Sequence, residues 1–363
     1  MREKIAREIL KERKYISTAS MKDTALFIDG EFWGLYEISE QFSDKFAEAH
    51  FGVPSDQVAL IKQNEIKDGP KQECTDYITK STNIASLDLT SESNYEEASK
   101  MFDIDSLIEH YAIGIYFVIA DWPTKNEGLW KYTGSPNESK PYYDGKWRFL
   151  SFDFDFSMGE SLGGVGGANY DQFRHIEQKK KDAPTNVFLS LLKNEKFKNK
   201  FANVFCDYVN EVMEINKIKS ILEKYRSETL ELAAKSLLRW WNCNSQPMQC
   251  YASDKAYFEN GLKEIEQFFS NRPRAALEHM AKYLGINSQL QELTLTVQGS
   301  GNVQVNTIIP KVSSGKWTGQ YYSNIPITLS VESGSFKGWT GDISSSDKTI
   351  TITLDKVKKV QAN

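Results

Sequence analysis

The hydrophobic period of this chain changes once, near residue 287, and that change limits the folds open to it. Before it, long stretches carry apolar residues at helical spacing among Lys, Glu and aromatics. After it come short alternating runs, LTLTVQGSG, NVQVNT, ITLSVES and TITITLD, separated by Gly and Ser. A period of 3.6 buries a helix face and a period of 2 buries a sheet face, so neither pattern can serve as the other. A larger domain over residues 1–286 and a small all-β module over 287–363 are therefore expected, with NSQLQE (287–292) as the linker.

Within the larger part, TALFIDGEFWGLYEISE reads as a hairpin turning at Asp29-Gly30. VALIKQN and KWRFLSFDFDF read as further strands. Asp103 stands where it can N-cap a helix, IDSLIEHYAIGIYFVIA, whose apolar residues almost encircle it, so that helix is expected to be central and buried. From Thr185 to Leu284 the period is mostly helical. A β-rich front and a helical back predict an α+β domain with two lobes. The opening MREKIAREILKERKY is charged throughout, has no apolar signal core, and reads as a helix cut from something longer.

Several function classes recede at once. A net charge of −5 offers no general basic field to nucleic acid. The longest apolar run, Tyr111 to Trp122, is too short to span a bilayer. His50, His110, His175 and His279 are scattered, and with the four cysteines they make no zinc pattern. Cys243 and Cys250 close the loop CNSQPMQC, where a disulfide would suit a secreted protein; Cys74 and Cys206 have no nearby partner.

The chemistry concentrates in two segments. WRFLSFDFDFSMG alternates like a strand, yet two of its positions are carboxylates, Asp153 and Asp155, expected on one face. Paired carboxylates repel and resist burial unless a divalent cation lies between them. Upstream, ADWPTKN places Asp121 where the apolar helix stops and Asn126 five positions later. Asp, Asn at +5 and a following Asp reproduce the spacing of a kinase catalytic loop and its metal-binding aspartate. Alone, that spacing is common, and Asp121 then reads more readily as a helix-end or turn residue. Lys62, in the apolar strand ALIKQ, is a candidate for holding phosphates with Glu40 as its partner, or else an edge lysine facing water.

Three other features read more plainly. The glycine-rich ESLGGVGGANYDQF (160–173) lacks the Gly-Lys-Ser/Thr ending of a phosphate loop and is expected to be a loop near the site. Lys179-Lys180-Lys181 reads as a solvated run ahead of a dock for acidic substrates. Trp240-Trp241 reads as packing surface, with glycan stacking left open.

Taken together, DGEFWGLYEISE, ADWPTKN, GKWRFLSFDFDFSMG and FFSNRPRAALEHMAKYLG resemble, in order, four segments of the CotH family of spore-coat-protein-H-like atypical kinases. The resemblance covers residues 1–286. It implies a kinase-related fold, ATP and Mg²⁺ as cofactors, and phosphate transfer to Ser or Thr hydroxyls of protein substrates. Carried over by position, Asp121 is the catalytic aspartate, Asn126, Asp153 and Asp155 bind metal, and Lys62 with Glu40 holds the nucleotide phosphates. The chain departs from the pattern at Glu127-Gly128, where Tyr-Tyr is frequent, and at Ser151, where proline is usual. Residues 287–363, with GSFKGWTGD (334–342) and KKVQAN, resemble the divergent B-repeats of internalin-type surface proteins, with Phe336 and Trp339 expected in the core. Such modules imply an extracellular, cell-surface or spore-surface setting and other modules in a larger protein.

Three functions follow from this reading. The first is an atypical Ser/Thr protein kinase. The second is a non-catalytic kinase-fold scaffold or binding module of a secreted, spore-surface or cellulosome-type protein. A glycosidase is third, because Asp153 and Asp155 are too close in sequence to flank a glycosidic bond from opposite sides.

Overall fold

The computed structural model describes residues 1–179, 183–240, 247–312 and 315–363. Lys180, Lys181, Trp241 and Cys243 lie outside the described residues, as does the side chain of Cys250. The architecture is mixed α+β and divides into two compact units, residues 1–190 with 215–272, and residues 191–214 with 273–363.

The first unit opens on helix α1 (Arg2–Leu10) and the expected hairpin, β1 (Met21–Ile28) with β2 (Glu31–Ser39). Asp29 and Gly30 both take positive φ, 51° and 83°, which is the turn that matches the twist of paired strands. Helix α2 (Asp44–Phe51) is capped by the Ser43 hydroxyl and leads to β3 (Val58–Lys62) and β4 (Glu65–Asp68). Helices α3 (Lys71–Ala85), α4 (Glu92–Met101) and α5 (Ile104–Phe117) precede β5 (Gly128–Tyr132) and β6 (Arg148–Phe149). The last four strands form one antiparallel sheet in the order β4-β3-β5-β6. On one of its faces Val58, Leu60, Trp130 and Leu150 pack with Ala19, Phe42 and Phe46.

Helix α5 is the buried axis of this unit. The Asp103 carboxylate accepts from the N–H groups of Asp105 and Ser106, as its position in the sequence predicts, and every residue from Ser106 to Phe117 is buried. The one charged side chain in that span, Glu109, is paired with Arg13. Helix α6 (Gln172–Lys179) and α7 (Ala183–Leu191) follow the glycine-rich segment. The long α9 (Ile215–Trp240) supports the hairpin, where Trp240 donates from its indole to the Trp33 carbonyl at 2.6 Å. That makes Trp240 a packing residue, in keeping with the plainer reading.

The second unit holds α8 (Glu195–Asp207), the π-turn Tyr208–Val212, the end of α10 (Pro247–Leu284) from Pro273 onward, and seven strands. The strands are β7 (Leu290–Val297), β8 (Val303–Val305), β9 (Lys316–Tyr322), β10 (Ile327–Val331), β11 (Trp339–Gly341), β12 (Thr349–Ile352) and β13 (Lys358–Ala362). They form two sheets, ordered β11-β13-β7-β9 and β12-β10-β8. Trp339 is buried and Phe336 packs on it from a half-buried position. Leu290 to Glu292 belong to β7, so half of the expected linker is strand: their N–H and C=O groups ladder with Gln320 to Tyr322.

Helix α8 is the footing of these sheets. Asp207, at its end, is fully buried and accepts from Asn306 Nδ2, Thr307 N, Thr307 Oγ1 and Tyr321 Oη at 2.7–3.2 Å. A buried carboxylate is tolerated only when its lone pairs are filled in this way. Composition could not show that, so the compact unit reaches further back than the boundary at 287. Asp207→Ala should leave those donors unsatisfied and cost the unit about 3 kcal/mol. Hydrogen exchange checks it: β9 amides should exchange faster while α5 amides keep their protection, and unchanged β9 protection would remove Asp207 from this role.

Candidate active site

Two segments meet at the end of α5. The chain leaves the helix through Val118 in a left-handed conformation, whose N–H bonds back to the Gly114 carbonyl. The Asp121 segment and the Asp153 segment are then stitched together: Ala120 N donates to Phe156 O and Met158 N to Phe117 O, both at 2.8 Å. Gln172 of α6 adds a bond from its amide to the Ile119 carbonyl. Trp122 lies flat against the helix where residue 114 is glycine; a Cβ there would come within 2.7 Å of its ring.

Asn126 takes φ 63°, a conformation that Asn tolerates better than most residues, and this folds its side chain back onto the aspartate. Its Nδ2 donates to Asp121 Oδ2 at 3.1 Å. Asn126 also lies close enough to Asp153 to oppose the rise in its pKa. The five-residue spacing is thus a turn that sets Asn126 close to both aspartates. The other oxygen, Asp121 Oδ1, is buried without a hydrogen-bond partner.

The Asp153 segment corrects one expectation. It is not a strand with both aspartates on one face: β6 ends at Phe149, and Asp153 itself sits at φ 63°. Alternating FDFDF mimics a strand, but Asp accepts left-handed backbone, and here its carboxylate takes the Asp155 N–H in a local turn. Phe154 points inward and is buried, while Asp155 is exposed. The two carboxylates still end as electrostatic neighbours. Burial, then Asp121, then Asp155 push the Asp153 pKa above the usual carboxylate value.

Lys62 and Glu40 do not form the expected pair. Glu40 accepts from Ser20 N at 2.6 Å and faces His50 Nε2 at 2.9 Å. Lys62 is half-buried with its Nζ over the rings of Phe42 and Phe152, 5.0 and 4.8 Å from their centroids, and among the described residues is in no ion pair. Burial, then Lys67 and Arg7, hold its pKa below the usual lysine value. A cavity of about 320 Å³ shares Ala19 and Phe46 with the cluster under Lys62. Of its cations, Lys4, Arg7, Lys11 and Arg13 are held by Asp23, Glu3, Glu8 and Glu109, and Lys14 lies over the ring of Tyr15.

Two residues of the site escaped the sequence reading. Glu3 on α1 is buried, pairs with Arg7, and accepts the Phe154 N–H at 2.6 Å, so it steadies the Asp153 segment. Burial raises its pKa, against the lowering effects of Phe154 N–H and Arg7. Arg272 on α10 is fully buried and donates to four carbonyls: Ile115 and Tyr116 at the end of α5, and Ala168 and Tyr170 at the end of the glycine-rich segment, at 2.8–2.9 Å. Arg272 shares an apolar helix stripe with Ile265, Phe268, Phe269 and Ala276, and a charge in such a stripe is the signal that could have revealed it.

With this geometry in view, comparison with known proteins is decisive at one level. The profile of the family described as CotH kinase protein matches residues 1–276. The chain belongs to the CotH kinase protein family. No curated protein matches it. Membership in the CotH family points to a kinase-like activity, and kinases in general use ATP with a divalent metal. Among the described residues no group of three or more His, Cys, Asp or Glu forms a metal centre. The donor set here is smaller and all oxygen: two carboxylates and an amide. That set fits Mg²⁺, which is commonly held by one or two carboxylates and completes its octahedron with water and phosphate.

The crowding of Asp153 has a measurable sign. A carboxyl whose pKa is raised by folding is easier to protonate in the folded chain, so stability is lost as pH rises through that raised value. Asp153→Asn should therefore raise the Tm of the metal-free chain at neutral pH, and the gain should fade as pH drops toward about 4, the ordinary range for Asp. Thermal unfolding across pH checks this; a Tm at neutral pH that stays level or falls would show that the carboxylates are not in conflict.

Proposed function

We propose that this chain is an atypical Ser/Thr protein kinase that transfers the terminal phosphate of ATP to protein hydroxyls with Mg²⁺. The observation that carries the reading is the place of Asn126, which hydrogen-bonds Asp121 and lies close enough to Asp153 to oppose the rise in its pKa. Asp121 is the catalytic acid–base group. Its Oδ2 is held by Asn126 and its Oδ1 is buried, so the carboxylate has to turn to bring one oxygen to the acceptor hydroxyl and take its proton. As that proton leaves, the hydroxyl oxygen bonds the terminal phosphorus and the bond to the nucleoside diphosphate breaks. Asp153, Asp155 and Asn126 are the metal ligands, and Mg²⁺, when bound, would neutralise phosphate charge as it shifts to the leaving group. Lys62 is the phosphate-binding cation: it is half-buried and, among the described residues, in no ion pair, with only the more distant attraction of Asp68, which suits an anion that arrives with the substrate.

A non-catalytic scaffold is the second reading, and the missing Lys62–Glu40 pair favours it. The family's association with the spore coat supports a spore-surface or extracellular setting, with the β-rich segment 287–363 as an accessory module resembling B-repeats. Two measurements separate the readings. ATP with Mg²⁺ should raise the Tm, by roughly 2.7 kcal/mol of stabilisation at a hundredfold excess over Kd, and an unmoved Tm in both Mg²⁺ and Mn²⁺ would favour the scaffold. Asp121→Ala should cut phosphate incorporation into a basic test protein by about 100-fold or more while α5 keeps its hydrogen-exchange protection; retained incorporation would take Asp121 out of catalysis.

A further inference from the structure

His110 lies on α5, eleven residues before Asp121 in the sequence, and faces both segments of the site. It is buried, and its ring is stacked on Phe149 at 4.6 Å with an interplanar angle of 23°. The indole N–H of Trp122 donates to His110 Nε2 at 3.1 Å. A nitrogen that accepts a hydrogen bond carries a lone pair, so the neutral ring bears its proton on Nδ1. The polar atom facing Nδ1 is the hydroxyl of Ser151, at 3.5 Å, a long contact between two buried groups. Trp122 adjoins Asp121 and Ser151 stands two residues before Asp153.

We infer that His110 is a positioning residue for this site, a neutral imidazole that holds the Asp121 segment through Nε2 and faces the Asp153 segment through Nδ1–H. The inference rests on the kinase reading for its consequence, though not for its geometry. Trp122 has two constraints on its orientation. One is steric, the close face of Gly114; the other is the single acceptor that His110 offers its indole. Remove that acceptor and a buried N–H is left unsatisfied beside Asp121. Charge does not disturb the arrangement: burial alone lowers the His110 pKa to about 3, so the ring is neutral at physiological pH. The rival account makes His110 a spacer between helix and sheet, for which any flat side chain of similar size would serve.

Three substitutions distinguish the accounts. In His110→Gln the side-chain oxygen can reach the place of Nε2 and still accept from Trp122. His110→Asn reaches only the place of Nδ1, and His110→Phe keeps the stacking with neither bond. The positioning role predicts kcat within about threefold of the parent for His110→Gln, a loss of about tenfold or more for the other two, and nucleotide KM nearly constant throughout. Three variants whose kcat follows only their loss of Tm, or that match the parent, would overturn it. A second readout does not need activity. Nitrogen-15 spectra of the full chain should show a protonated Nδ1 and an unprotonated Nε2 on His110. The Asn126 side-chain amide signals should move in His110→Asn, His110→Phe and Trp122→Phe, but not in His110→Gln. If the parent chain transfers no phosphate, the kinase reading fails and the spectra alone decide. An Nε2-protonated ring, or Asn126 signals indifferent to all these changes, would then sink the positioning role.

Discussion

A helix buried on every side cannot leave its last carbonyls to water, and the end of α5 shows how that requirement organises the site. The Gly114 carbonyl takes the N–H groups of Val118 and Ile119. Ile115 and Tyr116 are satisfied by the Arg272 guanidinium, and Phe117 by the N–H of Met158. Each partner comes from a different part of the first unit: the Asp121 segment, the long α10, and the Asp153 segment. Satisfying one helix terminus thus draws together the pieces that carry the carboxylates. A guanidinium suits the task because it offers several donors in a fixed plane and complements the negative end of the helix dipole.

The same economy of partners explains why the acidic site is tolerated. Asp153 feels both Asp121 and Asp155, and the folded chain bears the cost as a raised Asp153 pKa and an orphan oxygen on Asp121. Glu3 adds a fourth carboxylate close to Asp155, but Arg7 and the Phe154 N–H neutralise its effect locally. The surplus of negative charge therefore falls on Asp121 and Asp153. An arrangement selected only for stability would have replaced at least one of those aspartates by an amide.

Much of the fold was legible because it is written in local chemistry. Asp29-Gly30 demands a particular turn, Asp103 caps the helix that follows it, and the period of 2 after residue 287 yields strands where the runs occur. The site was legible in its residue types and spacing, since the Asp121–Asn126 turn is short-range. What failed was long-range or two-valued. FDFDF satisfies a strand pattern equally well whether or not the backbone turns at Asp153, and only tertiary contacts choose. Glu40 was matched to Lys62 by analogy, yet its carboxylate finds a backbone N–H twenty residues away in the sequence and an imidazole ten away. Glu3 and Arg272 act across more than 150 residues of chain, a separation that no local pattern records.

Two buried cations of the first unit make the last contrast. Arg272 is wholly enclosed, yet four of its five N–H donors meet carbonyls, so its charge is spread over fixed dipoles and little is left over for a ligand. Lys62 is only half-buried, but among the described residues it has no ion pair: two ring faces lie beneath its ammonium, and the repulsion of Lys67 and Arg7 outweighs the attraction of Asp68. Aromatic faces offset part of the desolvation of an ammonium and leave its hydrogen-bonding capacity unused. A structural lysine in that place would be better served by an acid, and Glu40, which could have supplied one, is held elsewhere. The unsatisfied charge is thus a feature that stability alone does not explain, and it lies beside Phe152, the residue that precedes Asp153.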